Sequence, residues 1–268
     1  MSSLNPLPTI LQHRYLLGQL IQREVLARYR GSALGIGWSF LNPLLLLFAF
    51  TLVFGGVFGG RWSGEESGKS GFDLALFIYC GLAVFVPFAE VIGSAPKILL
   101  ANQHFVRKVV FPIEILPLSG LVAASIHGAS HVALLAAAAL IAGHIHSTAL
   151  LVPLVLLPAW ILTLGLAWWL AAAGAYMRDI GHGMPVLTQL LMFGLPVFYP
   201  GSAAPYFLKA VNAFNPVAVA IEDLRLVLLV GAPPIWLNWA LMLSIALACA
   251  LTGYAFFSRC REEFADVL

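Results

Sequence analysis

This sequence has very little charge. Asp, Glu, Lys and Arg make up 10% of its 268 residues, against roughly 25% in a soluble globular domain. With 61% hydrophobic residues and a mean hydropathy of +0.93, it has too little polar side chain to cover a water-facing surface. Lipid must cover much of it, which excludes an ordinary soluble enzyme. Cysteine is scarce too. Cys80, Cys249 and Cys260 are too few and too scattered for a disulfide framework or a zinc site, so no metal is expected. The net charge of +2 gives no reason to expect a nucleic-acid partner. The first 30 residues lack a continuous apolar run and contain Arg14, Arg23, Glu24, Arg28 and Arg30, which argues against a cleavable signal peptide. Acids are nearly absent from the apolar runs: Glu90 and Glu114 fall near the ends of two of them, and none sits clearly at a middle. Carriers coupled to H⁺ or Na⁺ usually place an acid near the bilayer midplane, so that class is disfavoured.

What the sequence does have is long apolar runs. Residues 36–58, 74–95, 113–142, 150–174, 184–199 and 235–257 predict six transmembrane helices in an all-α integral membrane fold. The 23 positions of the first reach roughly 35 Å, enough to cross a hydrocarbon core of about 30 Å. The fifth is short and contains Pro185, Gly194 and Pro196, followed by Pro200, so it needs help from neighbours or breaks near its outer end. With the N-terminus inside, 10 of the 14 Lys and Arg fall on inner segments. The positive-inside rule therefore places both termini in the cytoplasm, and an even number of crossings agrees.

The connections are informative. Residues 201–234 form a long outer segment that is still largely apolar. It divides at Asn215-Pro216 into two short helical stretches, 203–214 and 217–230, which is better explained by re-entry into the outer leaflet than by a solvated loop. Residues 1–32 contain an amphipathic helix, with Leu16, Leu17, Leu20, Ile21, Val25 and Leu26 on one stripe and Arg23 and Arg28 mostly off it. Such a helix lies along the membrane interface. Residues 33–268 form the transmembrane domain.

Several motifs are decoys. Residues 63–70, Ser63 to Ser70, nearly match a phosphate-binding loop, but the leading glycine is missing and no strand precedes it. The chain therefore shows no ATPase of its own; ATP and Mg would be bound by a separate subunit. Gly55, Gly56, Gly59 and Gly60 permit close helix approach. His127 and His131, one turn apart, are expected to make a polar helix contact rather than a metal site or proton relay. His144 and His146 are expected to meet solvent. Aromatic rings give sugars a face to stack on, and Trp38, Phe48, Phe193, Phe198 and Tyr199 are candidates for lining a channel, although lipid-facing rings account for most of the aromatic content.

The inner connection at 96–112 is the most telling. It is amphipathic, contains Lys97, Asn102, Gln103, His104, Phe105 and Arg107, and enters the third crossing through Pro112 and Pro117. Prolines restrict the backbone on either side of themselves. A short helix at a rigid corner can pass a push from a soluble partner to two crossings at once.

At these residues the sequence resembles a known family. The segment from Arg28 through Gly31, Gly35 and Trp38 to Asn42-Pro43, the segment from Val106 to Pro117, Tyr176-Met-Arg178-Asp179-Ile180, and Asn215-Pro216 are together similar to permease subunits of polysaccharide-exporting ABC transporters. The similarity is closest to the O-antigen export permeases, with capsule and teichoic-acid exporters as near relatives. The resemblance implies a homodimer with two nucleotide-binding ATPase subunits in the bacterial inner membrane. It implies a coupling helix near 96–104, which assigns Lys97, Asn102, Gln103, His104, Phe105 and Arg107 to contact with the ATPase. It also implies a polyprenyl-pyrophosphate-linked glycan as substrate, with Arg28 and Arg30 meeting the pyrophosphate. An exporter of a drug or lipid with the same architecture stays open, as does a membrane transferase acting on lipid-linked sugars. For the transferase, Asp179 and His182 are the only paired candidates, and a helix-terminal ion pair between Arg178 and Asp179 is the simpler reading.

Overall fold

The computed structural model describes residues 7–53, 71–106, 111–144 and 146–264, and every regular element among them is helical. In chain order these are Leu7–Gln12 (α1), Arg14–Tyr29 (α2), Trp38–Phe50 (α3), Gly71–Ser94 (α4), Ile98–Ala101 (α5), Gln103–Val106 (α6), Ile115–Ile141 (α7), Val152–Tyr176 (α8), Asp179–Gly194 (α9), Tyr206–Asn212 (α10), Pro216–Arg225 (α11) and Trp236–Cys260 (α12). Five continuous helical stretches are long and apolar enough to cross a membrane: Gly35–Val53, Gly71–Ala101, Ile115–Ile141, Ser147–Tyr176 and Trp236–Cys260.

The fifth expected crossing is α9. It begins earlier than the apolar run and ends at Gly194, and its 16 residues reach only about 24 Å. Leu195, which precedes Pro196, is extended (φ −82°, ψ 154°), as a pre-proline residue must be to avoid the ring. Its local sequence therefore stops α9 before it has the length of a full crossing.

The core is built around α4. Leu76, Ile78, Tyr79 and Cys80 are wholly buried, and α7, α8 and α11 pack on it. A polar-poor helix can be buried all round only if its neighbours approach closely, and small residues allow that. A Cβ on Gly81 would lie 2.7 Å from Val197 Cα, and one on Gly165 would lie 2.7 Å from the Ala250 nitrogen. The second contact brings α8 and α12 together along their length. A second cluster closes one end of the bundle, where Leu99, Leu116, Trp168, Phe257 and Phe264 meet and the Trp168 indole N–H donates to the Glu114 carbonyl (3.1 Å).

The long segment after α9 folds as the Asn-Pro signal predicts. The Asn215 side chain accepts from the Val217 N–H (2.9 Å), and Pro216 occupies the first turn of α11, where its missing N–H is harmless. A π-helical turn, Leu226–Val230, continues α11 and ends at Gly231, whose φ of +79° suits glycine. Far from forming a solvated loop, α11 packs against α4 and α8.

Candidate functional site

Helix α2 is seated on α7 by polar contacts as well as apolar ones. Leu20 is buried and Leu16 and Leu17 are partly so, but Leu26 of the predicted stripe is 55% exposed. Arg23 and Arg28, expected off the packed face, turn toward the bundle with Glu24. Arg23 donates to Asn102 Oδ1 (2.7 Å), Ser119 donates to Glu24 (2.8 Å), and Arg28 pairs with Glu90 and lies 2.7 Å from His127 Nδ1. The reason is on the neighbouring helices: Asn102, Ser119, Glu90 and His127 are polar groups in an apolar bundle and each needs a partner. Burial pushes the Glu24 carboxyl above the ordinary carboxylate range, against the opposing pull of Ser119 and Arg23.

The corner after α4 is folded rather than extended. A 3-10 turn at Ala95–Lys97 leads into α5 and α6, which break at Asn102. The Asn102 side chain donates back to the Ile98 carbonyl (2.9 Å) while accepting from Arg23, so it is buried in the corner. Phe105 is half-buried, stacked on Phe111 at 4.6 Å with the Arg23 guanidinium 5.4 Å from its centroid. Lys97 is exposed, although a Cβ on Gly181 would meet its stem at 2.7 Å. Gln103 and His104 are exposed. Arg107 lies outside the described residues, as do the glycine pairs at 55–60 and the decoy loop at 63–70. At the other end of α7's connection, Glu114 receives Arg261 (2.5 Å).

The aromatic candidates divide into two groups. Trp38 is half-buried at the start of α3, beside Arg28 and Tyr29. Phe48 is 58% exposed on the same helix. Phe193 (57% exposed) and Phe198 lie 5.7 Å apart at the broken end of α9, and Phe198 lies 6.3 Å from Phe50 of α3. Tyr199 donates its hydroxyl to the Gly194 (2.9 Å) and Phe193 (3.1 Å) carbonyls, both left without helical partners where α9 stops.

Arg225 is a functional cation that sequence patterning alone does not single out within the largely apolar segment 201–234. It is 3% exposed. It donates to the carbonyls of Phe77 (3.1 Å) and Val197 (2.8 Å) and to Glu222 (2.9 Å), with the Phe77 ring 3.6 Å below its guanidinium. An arginine suits this task because its planar fork bears only donors and stacks on aromatic faces. It ties the extended stretch after α9 to α4 and α11. The signal for it was a cation in an apolar half-helix, which has to find a partner.

The histidines follow the bland expectation in part. His131 shares a hydrogen bond with Tyr79 of α4 (3.0 Å), a polar contact between helices. His144 meets Asp73 (3.1 Å) and the His146 ring abuts Gly231, and both histidines stay part-exposed, so each adds a protein contact to the solvent contact expected of it. The ion pair expected between Arg178 and Asp179 does not form: Asp179 opens the first turn of α9, where the helix dipole favours a carboxylate, and Tyr176 instead donates to Glu263 (2.6 Å). Asp179 and His182 are both exposed.

A family model described as ABC-2 type transporter matches residues 15–229. The chain is 27% identical over 260 residues to an O-antigen export system permease protein RfbA of Myxococcus xanthus, covering 96% of each. It is 23% identical over 270 residues to a protein of the same name in Klebsiella pneumoniae, covering 96% of this chain and 99% of the other. A further Klebsiella pneumoniae protein of that name is 22% identical over 258 residues. Apolar helices long enough to cross a bilayer, a folded corner tied to the N-terminal helix, and a match over most of its length make this chain a multi-pass membrane protein of the ABC-2 type transporter family.

Proposed function

We propose that this chain is the permease subunit of an exporter that moves a lipid-linked polysaccharide of the O-antigen type across the bacterial inner membrane. The observation that carries the reading is the end-to-end similarity to O-antigen export permeases. In this reading two copies of the chain pair with two copies of an ATPase subunit, which binds the ATP and Mg, and both termini are cytoplasmic. The chain itself performs no chemistry; it guides a polyprenyl-pyrophosphate-linked glycan.

The geometry supports a division of labour. Lys97, Gln103 and His104 are exposed at the corner and, with Arg107, meet the ATPase. Asn102 and Phe105 work from inside. A push on the corner passes through Asn102 to Arg23 and so to α2, as well as directly into α4 and α7. The apolar faces of α3 and α9, with Leu44, Leu45, Phe48, Val186, Leu190 and Phe193 exposed, form the dimer axis and channel wall. Phe198 and Tyr199 complete the aromatic lining. Arg30 is exposed and has no ion-pair partner among the described residues, which suits it to a pyrophosphate. Arg28 would join it only by leaving Glu90.

Deletion of the gene tests the reading. The expected outcome is loss of surface glycan and accumulation of lipid-linked glycan on the cytoplasmic side, both reversed by the wild-type gene. Normal surface glycan in the deletion strain contradicts it.

A further inference from the structure

Arg28 shares its guanidinium between two partners. Its Nη2 pairs with Glu90 Oε1 of α4, and its Nη1 donates to His127 Nδ1 of α7 (2.7 Å). The carboxylate therefore meets one nitrogen of the fork, in place of the bidentate grip that an arginine can give a carboxylate or a phosphate. The pair is not sealed in: the Arg28 side chain is 41% exposed and that of Glu90 26%. Arg28 also borders a cavity of about 280 Å³ between the end of α2, the start of α3 and the middle of α7. An anion that arrives there meets an arginine already neutralised by the chain itself.

The pair sits where the N-terminal helix meets the corner. Arg28 is in the last turn of α2. Glu90 lies one turn before the end of α4, where Ser94 donates to its carbonyl (2.9 Å), and the chain then turns into the corner at Ala95. The ion pair thus ties α2 to the crossing that feeds the corner. It also stands between like charges. The Glu90 charge reaches Glu24 of α2 and opposes its ionisation, although burial is the larger influence on that carboxyl. With Arg28 withdrawn, the two acids repel one another across α2 and α4. Arg28 therefore decides whether α2 holds α4 or pushes against it.

A pyrophosphate offers what Glu90 does not: more than one negative charge, and several oxygens spaced for both arms of a guanidinium. We propose that Glu90 is a stand-in for the substrate's headgroup. It holds Arg28 in the resting chain, and the pyrophosphate of the lipid-linked glycan draws Arg28 away toward Arg30, which releases α4 from α2 beside the corner. The proposal rests on the glycan-exporter reading, which supplies the ligand, and adds how the chain signals to its ATPase subunit that cargo is present. Arg28 touches the substrate. Glu90 is a positioning residue that acts through Arg28 and sets both the affinity for the anion and the resting state of the corner.

The test uses the chain with its ATPase subunit in zwitterionic lipid nanodiscs. It reads ATP hydrolysis with and without polyprenyl pyrophosphate, and, in the absence of ATP, the affinity for inorganic pyrophosphate by calorimetry. Glu90→Gln keeps the shape of the side chain and removes its charge. It is expected to raise hydrolysis without cargo toward the stimulated wild-type rate and to tighten pyrophosphate binding about fivefold, the upper end of what a part-exposed ion pair contributes. Arg28→Gln breaks the same pair from the other side. It is expected to raise hydrolysis without cargo as well, but to weaken pyrophosphate binding and abolish stimulation by polyprenyl pyrophosphate. A tie with only a structural role moves the affinity the same way in both variants. Wild-type affinity or weaker binding in Glu90→Gln overturns the proposal, as does equal stimulation of the wild-type complex by phosphatidylglycerol. Should Glu90→Gln fail to fold, as read by thermal melting, Arg28→Gln decides alone: unchanged resting hydrolysis or unchanged pyrophosphate affinity overturns it. The deletion strain keeps the two readings apart. Glycan export restored by the wild-type gene, with Glu90→Gln like wild type in both quantities, sinks the stand-in and spares the exporter; normal surface glycan in the deletion strain sinks the exporter itself.

Discussion

At the residue scale, the molecule depends on a few polar groups that an apolar bundle must satisfy internally. Arg225 is the clearest. Its removal would take a donor from the Phe77 and Val197 carbonyls and leave Glu222 with the Gly201 N–H but no cation. Breaking a buried, hydrogen-bonded ion pair typically costs about 3–5 kcal/mol; Glu222 is partly exposed, so the lower figure applies. Arg225→Ala should therefore melt well below wild type in lipid, with Arg225→Lys intermediate because an ammonium cannot reproduce the fork. Glu24 makes a pH prediction. Burial raises its carboxyl pKa in the folded chain, so the folded state holds a proton that the unfolded chain releases. Its contribution to stability is fully present below the unfolded carboxylate pKa and falls as pH rises toward the folded value. Glu24→Gln keeps an acceptor for Ser119 and should remove that part of the pH dependence, as read by melting temperature between about pH 4 and 7. None of these partnerships was legible in the sequence. Arg225 and Phe77 are 148 positions apart, and Arg28 and His127 are 99 apart. Sequence reasoning finds that such a group needs a partner; it does not find which one.

At the element scale, close helix approach is the vulnerable feature. A Cβ at Gly165 would strike the backbone of α12, and one at Gly174 would strike the backbone of Pro96. Backbone cannot swing aside as a side chain can, so Gly165→Ala and Gly174→Ala should each lose about 1–3 kcal/mol, seen as lowered melting temperatures, whereas Gly183→Ala, with open space around it, should melt as wild type does. The corner gives a second prediction at this scale. If Arg23 and Asn102 act as one link between α2 and the corner, Arg23→Ala, Asn102→Ala and the double variant should reduce glycan export per ATP hydrolysed by nearly the same factor, because contacting residues are non-additive. Simple multiplication of the two single effects would show that they act separately. Elements were the most legible level of the structure. Asn215-Pro216 announced the start of α11 because capping is local chemistry. Pro196 and Pro200 announced the early end of α9 for the same reason. The face that α2 turns to the bundle is wider than its apolar stripe: Leu16, Leu17 and Leu20 pack inward as the pattern predicts, and Arg23, Glu24 and Arg28 join them because α4, α7 and the corner, and not water, supply their partners.

At the scale of the whole molecule, this is a helical bundle with polar links concentrated where elements must hold position against one another. One set, Arg23, Glu24 and Arg28, holds α2 to the corner, α7 and α4. Another, centred on Arg225, holds the segment between α9 and α12. Between them α3 and α9 expose apolar side chains, as expected of faces that meet lipid or a second copy of the chain. Composition points to the membrane, and the apolar runs to the approximate number of crossings. Neither reveals which helices approach most closely, as they do at Gly81, Gly165 and Gly174.

The central claim is that the chain is a conduit driven from outside through the corner between α4 and α7. Its most direct test is ATP hydrolysis and glycan transport in proteoliposomes containing the purified chain, with and without its ATPase subunit. The account predicts no hydrolysis and no transport by the chain alone, and ATP-dependent movement of lipid-linked glycan by the complex, lost when Gln103 and His104 are both replaced by Asp. Nucleotide hydrolysis or sugar transfer by the chain alone, or transport by the complex that is indifferent to the corner, would contradict it.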